Sequence, residues 1–476
     1  MNLPIVIQGG MGVAISDWRL ARAVSLTGQM GVVSGTGLSG ILINRLMDGD
    51  ITGNIRRALS NFPLPEIAQK IIDKYYVPGG KTTEEHYKTP PVYTVNPSPF
   101  LDQLTAVANY VEVFLAKEGH SGLVGINLME KLQLSNLSSL YGAMLGGVDY
   151  VLMGAGIPTQ IPKIMDMLSL QLSVSYRLNV HGAAPEEDHH ISFDPEKVFP
   201  GISKLLPKIN RPKFLPIISS NILAISLLKK SDSQIDGFII EGPTAGGHNA
   251  PPRGPMNLNE KGEPIYGDKD KVDLEKMKQL GLPFWLAGGY GHPDKVKSAL
   301  AAGAAGVQVG SAFALCKESG MQPDLKKKLL QKILSGEATV KTSPLVSPTG
   351  FPFKVAALEG TLSEMETYNA RPRICDLGFL TTAYKKEDGT VGYRCPAEPI
   401  ENYIRKGGKL EDTEGRCCLC NNLIATAGFP QKRKNGYVEL PIITTGDDLS
   451  MVKEIIKPGE TEYTAEDVVN YLLDKK

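Results

Sequence analysis

Up to about residue 320, short apolar runs alternate with longer stretches whose apolar positions recur at helical spacing. The runs are Ile5–Gln8, Gly31–Ser34, Leu123–Asn127, Tyr150–Met153, Phe214–Ile218, Gly237–Ile240, Pro283–Ala287 and Gly306–Val309. Strands separated by helical patterns predict a parallel sheet, because parallel neighbours need a crossover and a helix is the usual one. Eight such strands suit a closed (β/α)8 TIM barrel. An open doubly wound sheet shares the alternation and is the alternative, to be separated by where the ligand loops fall.

Two stretches exceed what a minimal barrel needs. One is about 38–122, with the Pro-rich Lys88–Phe100, and the other about 170–211, with Pro185 and His189–His190. Both follow predicted strand ends, the face on which barrels build active sites. They are expected either to cap a substrate pocket or to pack at the periphery and in oligomer contacts. From Met321 the alternation stops, and Pro, Lys and turn signals dominate until a helical pattern near Ala465–Lys475. The chain is therefore read as a barrel, residues 1–320, followed by an extension, residues 321–476. The uncharged window Ser298–Cys316 is dominated by Ala and Gly and contains Gln308, so it reads as helix, strand, helix and not as a membrane span.

Composition narrows the function classes. A chain of 476 residues accommodates one barrel with insertions and an appended unit. A hydrophobic fraction of 42% and a charged fraction of 21% are ordinary globular values, which sets disorder aside. Lys plus Arg and Asp plus Glu are both 51, and no long basic run could follow a phosphate backbone, so nucleic acid is not an expected partner. Met1 through Pro4 leads straight into the first strand with no basic-then-apolar leader; no signal peptide is expected, and the cytoplasm is the expected compartment. The expected partner is a small-molecule substrate, with a homo-oligomer left open.

Candidate chemistry gathers at the predicted strand ends. Glycine pairs follow the first strand (Gly9–Gly10), lie beyond the sixth (Gly246–Gly247) and follow the seventh (Gly288–Gly289), where a missing Cβ lets backbone N–H groups approach a flat ring or a phosphate. Leu286-Ala-Gly-Gly-Tyr290 and Val309-Gly-Ser-Ala-Phe313 sit where many barrels bind phosphate, after strands seven and eight. Backbone donors at Gly289 and Gly310, with Ser311 as cap and the positive end of the following helix, would stabilise a phosphate dianion; an ordinary Ser N-cap is the competing reading. His248 is set apart from the other histidines by its place in Glu241-Gly-Pro-Thr-Ala-Gly-Gly-His248, a loop after an apolar strand, where an imidazole can exchange a proton near neutral pH. His292 precedes Pro293 and reads as a helix-start residue.

Five of the six cysteines lie after residue 370. That number is too small for a disulfide scaffold and points to a local feature in a reducing compartment. Cys375, Cys395, Cys418 and Cys420 are candidate ligands for zinc or an iron–sulfur cluster, but their spacing and that of Cys417 fit no familiar metal motif; reduced structural or redox-active thiols are the competing reading.

In combination these segments resemble the nitronate monooxygenase family, formerly 2-nitropropane dioxygenases, and the related flavin enoyl-acyl-carrier-protein reductases. The resemblance rests on Pro4-Ile-Val-Ile-Gln-Gly-Gly-Met-Gly12, Gly125-Ile-Asn127, Ala245-Gly-Gly-His248, Ala287-Gly-Gly289 and Gly306-Val-Gln-Val-Gly-Ser-Ala-Phe313, within residues 1 to about 320. It implies FMN as cofactor, with Gly10, Met11 and Gly12 along the isoalloxazine and Asn127 reaching it from the third strand. Glu241 and Gly247 would lie near the flavin or ribityl chain, Gly288, Gly289, Gly310 and Ser311 on the phosphate, and His248 in the active-site histidine position. The implied reaction is oxidation of alkyl nitronates with oxygen. The alternative is an enoyl-thioester reductase using NAD(P)H as reductant, and a non-catalytic flavin-binding partner protein is the reading of another class. Asn249-Ala-Pro-Pro-Arg-Gly254, both insertions and the extension depart from compact members.

Overall fold

The computed structural model describes residues 3–475, so Met1 and Asn2 of the leader reading lie outside the described residues. Eight parallel strands form its centre: β1 Val6–Gln8, β2 Gly31–Ser34, β3 Val124–Met129, β4 Tyr150–Gly154, β5 Lys213–Ile218, β6 Phe238–Glu241, β7 Phe284–Ala287 and β8 Gly306–Val309. Each pairs with its sequential neighbour from β2 to β8, and β8 pairs with β1. A parallel bridge between Ile7 and Met30 joins the two remaining edges, with Gln8 N–H donating to Met30 O at 2.9 Å and Met30 N–H to Val6 O at 3.1 Å. Beyond that bridge the buried Gln8 side chain takes over the ladder, its Oε1 accepting from Val32 N–H at 2.9 Å. The sheet is thereby a closed barrel, and the open doubly wound alternative falls.

The strands read as continuous apolar runs because both faces are covered. Ile7, Val32, Leu152, Leu215, Ile239 and Trp285 point inward and form a small interior cluster, with Trp285 Nε1 donating to Pro4 O at 2.8 Å across the bottom. Their neighbours Val33, Val151, Phe214, Phe238, Ile240, Phe284 and Leu286 face the helices in a separate, much larger cluster. Filling of the interior by side chains makes the barrel a packed core, so a ligand site must lie at its mouth.

The first insertion supplies four helices, of which Pro99–Lys117 serves as the crossover into β3 and packs on Gln133–Leu145. The second supplies an antiparallel hairpin, Val174–Arg177 with His190–Phe193, and His190 lies on its exposed face. Beyond residue 321 come the helix Pro323–Ser335, the antiparallel pair β9 Val340–Ser343 and β10 Phe353–Ala356, a small hairpin of Thr382–Lys385 and Val391–Arg394, and the terminal helix Ala465–Leu472. Ile424, Ile443, Val452 and Val469 of this part are buried in the same cluster as the barrel's outward-facing residues. No described helix is long and apolar enough to cross a membrane, and Ser298–Cys316 divides into helix, strand and a short helix as its composition predicts.

Candidate active site

The loops after β1, β3, β6, β7 and β8 enclose a cavity of about 260 Å³ at the C-terminal mouth of the barrel. Gly10, Met11 and Gly12 form one wall, Asn127 and Glu241 stand at or near strand ends, Gly247 and His248 lie in the loop after β6, and Gly288, Gly289, Gly310 and Ser311 form the wall after the last two strands. Every barrel residue singled out as a site candidate from the sequence therefore borders one space. Gly10 has a local reason beyond ligand access: a Cβ there would collide with that of Asn127, so the glycine lets the Asn127 side chain lie against the β1 loop.

A large share of the remaining wall comes from the part of the chain after residue 321. Phe353, Leu380, Cys420 and Ile442 contribute apolar surface, and the segment Thr444–Asp448 closes one end. Among the described residues, neither insertion contributes to the wall; Thr36 lies just before the first, and no residue of 170–211 borders the cavity. Capping falls to the extension.

Two expectations after β8 need correction. The helix there is a single turn, Ser311–Ala314, with Gly310 at its N-cap and no side-chain cap hydrogen bond. Ser311 Oγ instead accepts from Gly446 N–H at 2.7 Å. A single turn adds few aligned peptide dipoles, so the helix offers an anion little, and the donors must come from the loops themselves. His292 does precede the helix Pro293–Ala301, with Pro293 in its first turn, and also contacts Asp448 Oδ2 at 3.0 Å.

His248 is held from the extension. Its Nε2 is 2.6 Å from Ser347 Oγ, its ring meets Phe353 edge-on at 4.9 Å between centroids, and its backbone bridges Phe353. Burial, reinforced by the nearby Lys131 ammonium, lowers His248 to about 3, so the imidazole is neutral across the ordinary pH range. Lys131 itself is lowered to about 7 by burial; its Nζ has no hydrogen-bond partner and sits 3.2 Å from the Phe351 ring centre. Burial alone pushes Glu241 up to about 8, leaving a neutral carboxyl at neutral pH. Ser347, Lys131 and Thr444–Asp448 were not read from the sequence, since nothing in their local pattern marks a site.

Four of the six cysteines form two pairs. Cys375 hydrogen-bonds Cys395, and Cys418 hydrogen-bonds Cys420, which lines the cavity. All six cysteines are free thiols. Hydrogen bonding to the paired sulfur, then burial, pushes the Cys375 and Cys420 thiols up, whereas the hydrogen bond from Cys420, with Asn421 donating at 3.5 Å, pulls Cys418 down. Among the described residues, no three His, Cys, Asp or Glu side chains converge as a set that could hold a metal ion, so the candidate set Cys375, Cys395, Cys418 and Cys420 is present as two thiol pairs.

A test of fit to a polar, flat-ringed ligand is whether the cavity leaves polar groups unspent. Gln308 Oε1 and Thr445 Oγ1, both in wall residues, are buried without a hydrogen-bond partner, and Glu241 has only burial acting on it. Orphaned buried groups are uncommon in native proteins, and here donors and an acceptor border a mainly apolar space, the combination a flavin nucleotide would use.

A family model described as nitronate monooxygenase matches residues 211–346. A probable nitronate monooxygenase of Bacillus subtilis is 38% identical over 113 residues, 24% of this chain and 30% of that protein. The (3aS,4S,5R,7aS)-5-hydroxy-7a-methyl-1-oxo-octahydro-1H-indene-4-carboxyl-CoA dehydrogenase of Mycobacterium tuberculosis is 30% identical over 232 residues, 47% of this chain and 58% of that protein. The matches thus span under a third of the first relative and somewhat over half of the second. Among solved structures, FabK from Thermotoga maritima superposes with a TM-score of 0.48 at 15% identity, covering 100% of this chain and 93% of its own. The stretch that the nitronate monooxygenase model matches, residues 211–346, carries β5 to β8 and the loop of His248.

Proposed function

We propose that this chain is an FMN-dependent oxidoreductase whose substrate is an alkyl nitronate, oxidised with molecular oxygen. The observation that carries the reading is the cavity at the barrel mouth, where glycine-rich loops, unpaired polar groups and a neutral histidine border one mainly apolar space. The family match on residues 211–346 supports it. Bound FMN would supply the redox chemistry, taking electrons from the substrate and passing them to oxygen.

The chain's own residues position and select. Gly10, Met11 and Gly12 would lie along the ring, Asn127, Gly247 and Glu241 at its polar edge and ribityl chain, and Gly288, Gly289, Gly310 and Ser311 at the phosphate. A His248 whose conjugate acid sits near 3 is a weak base, so it is poorly matched to pulling a proton from a neutral nitroalkane. A preformed nitronate has already lost that proton. Its negative charge also meets a neutral Glu241 in the cavity wall instead of a fixed carboxylate.

The second reading is an NAD(P)H-dependent enoyl-thioester reductase, favoured by the carboxyl-CoA dehydrogenase among the relatives. Anaerobic mixing of the flavin-loaded protein with an alkyl nitronate, NADH or NADPH separates the two: bleaching by nitronate is expected, and bleaching by a nicotinamide alone would reverse the order. Release of FAD, or of no flavin, from purified and reconstituted protein would remove both.

A further inference from the structure

The segment Thr444–Asp448 lies as a strap across the end of the cavity formed by the loops after β6, β7 and β8. Its backbone is pressed into that wall. A Cβ on Gly246 would fall 2.8 Å from Thr445 C and 2.9 Å from Gly446 N, and one on Gly446 would fall 2.9 Å from Thr244 O. Gly446 N–H donates to Ser311 Oγ at 2.7 Å, Gly247 N–H to Thr444 Oγ1 at 2.8 Å, and Asp447 N–H to Thr244 O at 3.2 Å. Thr244 in turn lies beside the other candidate phosphate loop, its Oγ1 3.1 Å and 3.3 Å from the Cβ positions of Gly288 and Gly289. The strap is therefore one residue away from Gly288–Gly289 and in direct contact with Ser311.

Two carboxylates follow at once in the sequence, and beside an anion they would be unfavourable. Each is engaged by a cationic or ionisable partner. Lys354 Nζ, on a side chain only 2% exposed, donates to Asp447 Oδ1 at 2.7 Å and to Thr342 Oγ1 at 2.6 Å. Asp448 Oδ2 meets His292 Nε2 at 3.0 Å, and its Oδ1 accepts from Ser450 Oγ at 2.6 Å. Thr445, 2% exposed, is left with a hydroxyl that has no partner, in a residue that borders the cavity. Ser311 Oγ, having accepted from Gly446, still has its own proton to donate.

We propose that the strap completes the site for the phosphate monoester end of the cofactor, with the Thr445 hydroxyl and the Ser311 hydroxyl as donors to its oxygens. The proposal rests on the FMN reading above and adds to it that the extension is part of the nucleotide site. Anchoring of Asp447 and Asp448 by Lys354 and His292 holds Thr445 and Gly446 against the barrel loops, and the Lys354 ammonium offsets the charge of Asp447. A hydroxyl donating to a charged oxygen is stronger than a neutral pair, so its loss is expected to be visible in affinity.

The test is titration of flavin-free full-length protein with FMN and, separately, with riboflavin, which lacks the phosphate, each read by quenching of flavin fluorescence. Thr445→Val is expected to weaken FMN binding by about tenfold or more and to leave riboflavin unchanged, so that the preference for FMN shrinks. Thr445→Ser, which keeps the hydroxyl, should bind FMN as the parent does, and Ser311→Ala gives an independent second loss. Equal FMN affinity of Thr445→Val and the parent overturns the proposal while leaving the FMN reading standing. An equal loss of FMN and riboflavin in both variants overturns it too, because the hydroxyl would then act on the fold and not on the phosphate. A parent protein that binds neither flavin overturns this proposal and the FMN reading together.

Discussion

Gly246 and Gly446 meet backbone to backbone: a β-carbon on Gly246 would stand 2.9 Å from the Gly446 amide nitrogen, although the two residues are far apart in sequence. Side chains at these two positions would hold the strap off the barrel, so one half of the Gly246–Gly247 pair serves the approach of the extension. Gly246→Ala is expected to push the strap away and cost roughly 1–3 kcal/mol, the usual range for overpacking a fitted contact. A lowered melting temperature, with faster proteolysis near the strap, is the expected result. An unchanged melt and digestion pattern would show that the strap gives way freely.

Glu241 sets a pH limit. Its folded value of about 8 lies above the ordinary 4.5, so the neutral carboxyl is the form the fold favours. The stability this contributes is complete below the ordinary value and is lost progressively as pH rises to about 8. Above that pH the ionised group also puts a negative charge into the cavity wall and should repel an anionic nitronate. We expect kcat/KM for the nitronate to fall there and Glu241→Gln to remove the fall. A profile that keeps its alkaline limb in Glu241→Gln would assign the ionisation elsewhere.

Cys418 should be the thiol that reacts first. The hydrogen bond from Cys420 lowers it, while burial raises Cys417 to about 11, and the same hydrogen bond together with burial raises Cys420. Since the thiolate is the nucleophile, iodoacetamide at neutral pH is expected to label Cys418 about tenfold faster than either neighbour, read by peptide mass spectrometry. Cys420→Ala, which removes the donor to the thiolate, should slow that labelling. Simultaneous labelling of Cys417 and Cys418 would contradict the assignment.

Much of the barrel was legible because its signals are local. β2 and β8 occupy the predicted ranges, and the other strands differ only at their ends, since apolar runs covered on both faces stand out from amphipathic helices on either side. The strand-end glycines and His248 were legible for the same reason, as each follows a strand within one loop. What the sequence did not reveal is the contribution of the extension, because every contact that makes it part of the cavity is long-range. Ser347 meets His248 across 99 positions, and Gly446 meets Ser311 across 135. The insertions follow strand ends and are expected from that either to cap the pocket or to pack at the periphery; none of their described residues borders the cavity. One signal was available: Ile442-Ile-Thr-Thr-Gly446 repeats the pattern of an apolar run ending in small polar residues and a glycine that marked the barrel loops.

The last prediction concerns the reaction and the part His248 plays in it. Burial keeps the imidazole neutral down to about 3, and Ser347 occupies its Nε2. Turnover of a preformed nitronate should therefore show no inflection in the ordinary histidine range, and a neutral nitroalkane should be a much poorer substrate because its carbon proton has to be removed inside the site. His248 carries the one imidazole that borders the cavity among the described residues, and whatever deprotonation the wild type achieves is assigned to it. His248→Ala is accordingly expected to reduce the rate with nitroalkane more than with nitronate. Stopped-flow traces of flavin bleaching with both substrates, recorded from about pH 5 to about pH 9 under anaerobic conditions, make the comparison across the range in which a histidine ordinarily titrates. Equal losses on the two substrates would give His248 a positioning role in place of proton transfer. Bleaching only by NADH or NADPH, followed by recovery of the flavin band on adding an enoyl thioester, would exclude the nitronate reaction while leaving the closed barrel and its cavity as described.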